Sequence, residues 1–419
     1  MRCLRNCALG CFLLFVCPLA GAAQNAWIAT WAASPQPAAP NGKKPLLNIE
    51  DQTVRERVRL SIGGARICIR LSNEYGAVPL VIGSATVAVP TDASSVRPGS
   101  IQTVTFAGRN SVTIPAGAPI LSDPLAFAVA AGAEISISLY FPKRVAAPTL
   151  HGLALKRAVI SQHGDQTGAE KIEGGAVSQS SILINAVLVP AQPSQRLVVA
   201  FGDSIIDGDG STVDADRNWP SDLIRRLAKT PEGSKVAVVN AGIAGNRLLS
   251  DGFIAGVGSF GVSGLARFDQ DVLGLPGVTH IVLLEGVNDI GFPGAKLGGS
   301  YLADPAEVRG PEELIDAYRQ LISRAHAEGV KLIGATITPF EGVDIPGYYS
   351  ESKEAIRQAV NKWIRASSAF DAVIDFDAVL RDPDHPSRLL PSFASEDHLH
   401  PNDAGYQAMA EAIDPALFK

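Results

Sequence analysis

Val198-Val199-Ala200-Phe201-Gly202-Asp203-Ser204-Ile205-Ile206-Asp207-Gly208 is the stretch on which the fold turns. Four apolar residues run into Gly202 and then into a polar turn. An apolar run ended by glycine reads as a buried parallel strand that leaves the sheet for a loop or helix. In open α/β sheets, ligands bind at the carboxyl ends of such strands. Ser204 therefore stands where a nucleophile would be useful, although Gly-Asp-Ser by itself is also good turn chemistry.

Around that stretch the chain alternates strands with helices. Strands are expected at 197–201, 236–239, 280–284, 332–337 and 373–376. The best helical pattern runs from Pro311 to Glu328, with Leu314, Ile315, Tyr318, Leu321, Ile322 and Ala325 on one apolar stripe. Pro311 starts it and Gly329 stops it. Strands alternating with helices imply a mostly parallel sheet covered on both faces, over 196–419.

Upstream the punctuation is different. Residues 191–195 read as a linker, and 24–190 as a β domain. Runs at 54–62 and 65–71 flank Gly63-Gly64, which reads as a hairpin turn. Further strand-like runs are 80–89, 101–106, 111–114, 125–129 and 135–141. Their spacing implies an antiparallel sandwich of jelly-roll type.

Residues 1–23 carry Arg2 and Arg5, an apolar core and the small-residue site Ala20-Gly21-Ala22-Ala23. That is the pattern of a secretory signal peptide, with an apolar core too short to span a bilayer. The expected location is extracytoplasmic, periplasmic or secreted, with no stable membrane span after cleavage. Of the 5 cysteines, only Cys68 lies outside this segment. The mature chain then has no internal disulfide, and Cys68, in a strand-like run, reads as a packed residue. At 419 residues and a formal charge of −6 the chain has room for two domains and no basic face for nucleic acid.

Three more segments follow strands or precede the last helix. They are the run from Asn240 to Asn246, then Gly286-Val287-Asn288-Asp289, then Asp397-His398-Leu399-His400-Pro401. A serine needs a base, and the base an orienting group. Asp397 and His400 are three residues apart in one loop, close enough for the carboxylate to accept from the imidazole. The backbone N–H groups of Ser204 and Gly245 and the amide of Asn288 could serve as donors to an oxyanion. Asp397, His398 and His400 as metal ligands would be the other use of that loop, but the spacing is not a standard zinc pattern.

These four blocks, in this order, resemble the SGNH or GDSL-type hydrolase superfamily. Gly202-Asp203-Ser204-Ile205 has Ile where the family usually has Leu. The resemblance covers about 196–419 and implies a three-layer α/β/α domain. It implies nucleophile Ser204, base His400, orienter Asp397, and oxyanion donors Ser204, Gly245 and Asn288. Asp203, Asp289 and His398 are supporting residues, His398 at the rim. The N-terminal half is similar to the β domain of some exported members. No Gly-x-Ser-x-Gly elbow is present.

The expected activity is a serine esterase acting on short acyl, above all acetyl, esters of a small molecule or glycan, with no metal and no organic cofactor. A lysophospholipase, lipase or thioesterase is the alternative within the superfamily. A non-catalytic carbohydrate-binding protein is the alternative outside it. The glycine-rich run 252–261 is the stretch near the site able to meet an acyl tail.

Overall fold

The computed structural model describes residues 26–39, 47–254 and 257–419. The expected signal peptide lies outside them, as does the Ala255-Gly256 pair within the glycine-rich run. Among the described residues no helix is long and apolar enough to cross a membrane.

The C-terminal half is built on a five-stranded parallel sheet in the order Val236–Gly242, Arg196–Gly202, Val278–Leu284, Lys331–Ala335, Ala372–Ile374. Numbered along the chain that order is 2-1-3-4-5. The winding reverses beside the first strand, which opens a crevice at its carboxyl end. Leu197 through Phe201 are wholly buried. Helices cover the faces, so these strands read as continuous apolar runs. Gly202 ends the first strand because no side chain fits there. A Cβ would lie 1.8 Å from the Leu284 carbonyl oxygen of the neighbouring strand.

The helix Pro311–Ala327 buries Leu314, Ala317, Tyr318, Leu321, Ile322 and Ala325. Ile315, expected on that stripe, is half-buried, and Ala317 holds the inward position instead. The 3-4-3-4 spacing from Leu314 passes through 317, not 315. The helix Trp219–Leu227 is capped by the Asn218 side chain and buries Trp219, Leu223 and Leu227 at successive i, i+4 positions. It packs against the last helix, Asp403–Ala412.

The N-terminal half is built mainly on two antiparallel sheets, with short two-stranded pairs beside them. One has the order Trp27–Ala32, Ile184–Pro190, Cys68–Ser72, Pro119–Leu121. The other has the order Ala176–Ser178, Ala158–Ile160, Gln52–Arg59, Glu134–Phe141, Ser84–Ala88, Gln102–Thr103. The expected hairpin at Gly63-Gly64 is therefore wrong. Gln52–Arg59 and Cys68–Ser72 belong to different sheets, and the glycines let the chain cross between them at close quarters. A Cβ on Gly63 would sit 2.5 Å from the Val129 carbonyl oxygen. Residues 125–129 form isolated bridges to Ile67 and Gly64 rather than a strand. The run 80–89 breaks at Gly83, where the Tyr140 ring takes the place of a side chain. Cys68 is buried and unpaired, and desolvation pushes its thiol up to about 11.

The two halves meet along the edge strand Val236–Gly242, against which Trp27–Ala32 packs. Val238 donates its N–H to Ser61 Oγ (2.8 Å), and Ala29 donates to the Pro276 carbonyl (3.0 Å). Arg59 pairs with Asp216 at 2.6 Å, and Arg57 with Asp214 at 2.9 Å. An edge strand that would otherwise offer free backbone groups is covered in this way.

Candidate active site

Ser204 is the first residue of a one-turn helix, Ser204–Asp207, that begins where the first parallel strand ends. Asp203 caps it, its Oδ1 accepting the Ile205 N–H at 2.9 Å. Burial pushes the Asp203 carboxyl up to about 7. The helix is a single turn because Gly208 stops it in a left-handed conformation, φ 116°.

The loop before the last helix reaches this point from 196 residues away. His400 Nε2 lies 2.8 Å from Ser204 Oγ, and His400 Nδ1 lies 2.5 Å from Asp397 Oδ2. A carboxylate only accepts, so Nδ1 carries the hydrogen and Nε2 is left free to take one from the serine. Asp397 is itself held: its Oδ1 accepts from Ser395 Oγ (2.6 Å) and from the N–H groups of Leu399 (2.9 Å) and His400 (3.0 Å). Burial alone would raise its pKa, but these donors and His400 outweigh it and hold the carboxyl well below the usual range. His400 shows the converse balance. Burial disfavours its imidazolium, yet the Asp397 hydrogen bond and the charges of Asp209, Asp397 and Asp203 hold its pKa above 6.5. Asp209 Oδ2 stands 3.8 Å from Nε2.

His398 lies apart from this chain. It is exposed, at φ 58°, and its backbone N–H donates to the Ser395 carbonyl. Among the described residues no three His, Cys, Asp or Glu side chains converge as a metal cage would require.

Gly245 comes from the loop after the second strand, and Asn288 from the short helix Val287–Gly291 that follows the third. Gly245 has φ 74°, and a Cβ there would meet the Phe260 ring at 2.4 Å. Its loop is tied to the serine turn, Ile243 N–H donating to the Gly202 carbonyl (3.0 Å) and Ala244 N–H to Asp207 Oδ2 (3.1 Å). Asn288 is buried; one amide hydrogen goes to the Asn246 carbonyl (2.9 Å), and its Oδ1 accepts from Tyr348 Oη (2.8 Å). The second amide hydrogen is left for a ligand. Among the described residues the N–H groups of Ser204 and Gly245 have no protein acceptor. Asp289, raised to about 6 by burial, accepts from Leu248 (2.7 Å) and Leu249 (2.9 Å) and so anchors the far side of the Gly245 loop. The arrangement can deprotonate a serine and hold an oxyanion.

Sequence reasoning missed Arg267, Tyr348 and His151. Arg267 is buried beneath the strand ends and donates to the Gly202 and Ala241 carbonyls (2.7 and 2.8 Å) and to Asn246 Oδ1 (2.8 Å). No local pattern marks any of the three. A buried charge in a helix flank is the only hint that Arg267 offers. Trp219 is wholly buried against Phe376, and Trp363 stacks on Tyr318. A cavity of about 100 Å³ lies between the halves, lined in part by His151, Glu56, Asp207 and Asn240. Ser204 is not among the residues that line it.

Residues 200–408 match the family model described as the GDSL-like lipase/acylhydrolase family. Over that segment the chain belongs to this family, the SGNH hydrolases. It is a carboxylic ester hydrolase. Among solved structures the hydrolase half is similar to a lipolytic protein of the G-D-S-L family from Desulfitobacterium hafniense, with 22% identity, 52% of this chain and 97% of that one covered, and a TM-score of 0.37. It is also similar to a GDSL-like lipase from Bacteroides thetaiotaomicron (17% identity, 53% and 87% covered, TM-score 0.36). An acetyl-xylooligosaccharide esterase from Geobacillus stearmophilus is a third (18% identity, 53% and 94% covered, TM-score 0.37). No curated protein matches the chain at a significant level.

The hydrogen bond to Asp397 is the largest of the influences raising His400. NMR titration of the imidazole should therefore give a midpoint above 6.5, and Asp397→Asn should move it down. A midpoint unchanged by that substitution would contradict the geometry.

Proposed function

We propose that the chain is an exported two-domain serine esterase that hydrolyses short acyl esters, above all acetyl, of a sugar or other polar alcohol. Residues 1–23 are the signal peptide, 24–190 a jelly-roll-like sandwich, 191–195 the linker and 196–419 the hydrolase domain. The observation that carries the catalytic part is the continuous hydrogen-bonded chain Ser204–His400–Asp397.

Ser204 Oγ attacks the ester carbonyl while His400 Nε2 takes its proton. Asp397 holds the imidazole in the required tautomer and stabilises the imidazolium. The N–H groups of Ser204 and Gly245 and the free amide hydrogen of Asn288 stabilise the charge on the former carbonyl oxygen. His400 returns the proton to the leaving alcohol. Water, deprotonated by His400, then releases the acid from the acyl-serine. Asp203 and Asp289 support the two loops, and His398 sits at the rim. The chain residues suffice for every proton transferred.

The lipase or lysophospholipase reading draws on the half-exposed Phe253, Leu297 and Tyr301 on the loops beyond the second and third strands. The short-acyl reading is supported by the packing of the Phe260 ring directly on Gly245, which crowds the loop beside the serine. Rates on p-nitrophenyl acetate, butyrate, octanoate and palmitate decide between them. We expect kcat/KM to fall with chain length, and acetate to be released from an acetylated glycan. A steady rise toward palmitate with no acetate released overturns the proposal.

Ser204→Ala should abolish turnover without lowering the melting temperature, since it removes one hydroxyl. Asn288→Ala should lower kcat by roughly 10²–10³, the usual cost of one oxyanion donor. An effect of Asn288→Ala on KM alone would mean that it binds substrate and transition state equally.

A further inference from the structure

We propose that His151, contributed by the N-terminal half, is a positioning residue for the oxyanion site, fixing the Ala244-Gly245 backbone through Asp207. The inference rests on the reading of Gly245 as an oxyanion donor.

His151 lies in the short strand Leu150–His151 and is buried, as is Asp207. Both of its ring nitrogens face acceptors. Nδ1 is 3.0 Å from the Ser34 carbonyl oxygen and Nε2 is 2.9 Å from Asp207 Oδ1. A carbonyl only accepts, so Nδ1 is protonated. One proton is held between Nε2 and Asp207 Oδ1 in this contact, which is buried where the two halves meet. Glu56, bonded to Ser181 Oγ (2.7 Å) and Ile182 N–H (2.7 Å), adds a second acidic group facing the imidazole.

Asp207 passes this fixation on. Its Oδ2 accepts the N–H of Ala244, the residue before Gly245. Its backbone is held from three sides. The N–H donates to the Asp203 carbonyl, and the carbonyl accepts from the amides of Asn218 (3.1 Å) and Asn240 (3.2 Å). Without His151 the buried Asp207 Oδ1 would lose its hydrogen-bond partner, and the carboxyl would be free to turn rather than stay aimed at Ala244. A second N-terminal contact serves the other side of the same loop. Ser34 Oγ accepts from Arg267 Nη1 (3.2 Å), whose Nε holds Asn246 Oδ1. The N-terminal half thus grips the loop on both sides of Gly245.

A donor displaced from the oxyanion loses transition-state stabilisation and leaves ground-state binding unchanged, so the signature is a fall in kcat with KM kept. His151→Leu removes both hydrogen bonds; His151→Gln keeps an N–H able to reach Asp207. Arg59→Ala is the control, since it breaks the interface pair with Asp216 without touching Asp207. On p-nitrophenyl acetate, per folded molecule, we expect His151→Leu to lower kcat roughly ten-fold or more with KM within about two-fold. His151→Gln should recover part of that loss. Arg59→Ala should lower the melting temperature and leave kcat within about two-fold.

Wild-type kcat in folded His151→Leu, or a fall no larger than that of Arg59→Ala, overturns the inference. If His151→Leu does not fold, His151→Phe, which also lacks both hydrogen bonds, decides: a kcat reduced at constant KM supports the inference, and a wild-type kcat overturns it. Ser204→Ala run alongside separates the levels. If it is inactive while the His151 variants are wild-type, this inference fails alone; if it is active, the reading beneath it fails as well.

Discussion

One guanidinium holds the floor of the site together. Arg267 lies against the Phe201 ring, 4.3 Å from its centroid, and donates to carbonyls at the ends of two adjacent parallel strands and to the loop that carries Gly245. Strand ends in an open sheet leave carbonyls pointing at nothing, and a buried carbonyl without a donor is costly. Arg267 adds a donor at both strand ends, beside the Ile243 N–H that already reaches Gly202, and ties three separate chain segments into one rim. Its charge is balanced by Asp271 at 3.3 Å and by Glu285 at 3.8 Å. Burial pushes both of those carboxyls up. Losing the arginine would remove one donor from each strand end and take the cation away from the acidic residues.

The serine, histidine and aspartate then need little else to meet. The Asp203 cap sets the start of the serine helix, the left-handed Gly208 its end, and the Ser395–Asp397 turn fixes the carboxylate that holds the imidazole. The donors at Gly245 and Asn288 are braced from behind by Asp207, Asp289 and Tyr348. Each group of the proposed site is thus backed by a residue outside it, as preorganised electrostatic stabilisation requires.

Much of the hydrolase half is legible in the sequence, because a parallel strand buried on both faces writes a continuous apolar run. The expected strands at 197–201 and 280–284 lie within Arg196–Gly202 and Val278–Leu284. The N-terminal half is less legible. Gly63-Gly64 carries the marks of a tight turn, yet the glycines there serve a crossing between sheets, and the difference depends on Val129, more than sixty residues away. The site divides in the same way. Ser204, Gly245, Asn288 and Asp397–His400 stand at strand ends or in one short loop, where residue type and position are both visible. His151, Arg267 and Tyr348 act across long separations and sit in no motif, so only the packed chain brings them to the site.

The most direct measurement is mass spectrometry of the enzyme quenched during turnover of p-nitrophenyl acetate. The account predicts one acetyl group, on the peptide containing Ser204, appearing within the first turnover and absent from Ser204→Ala. Acetyl on another residue, or steady turnover with no acetylated Ser204 at any quench time, would contradict it.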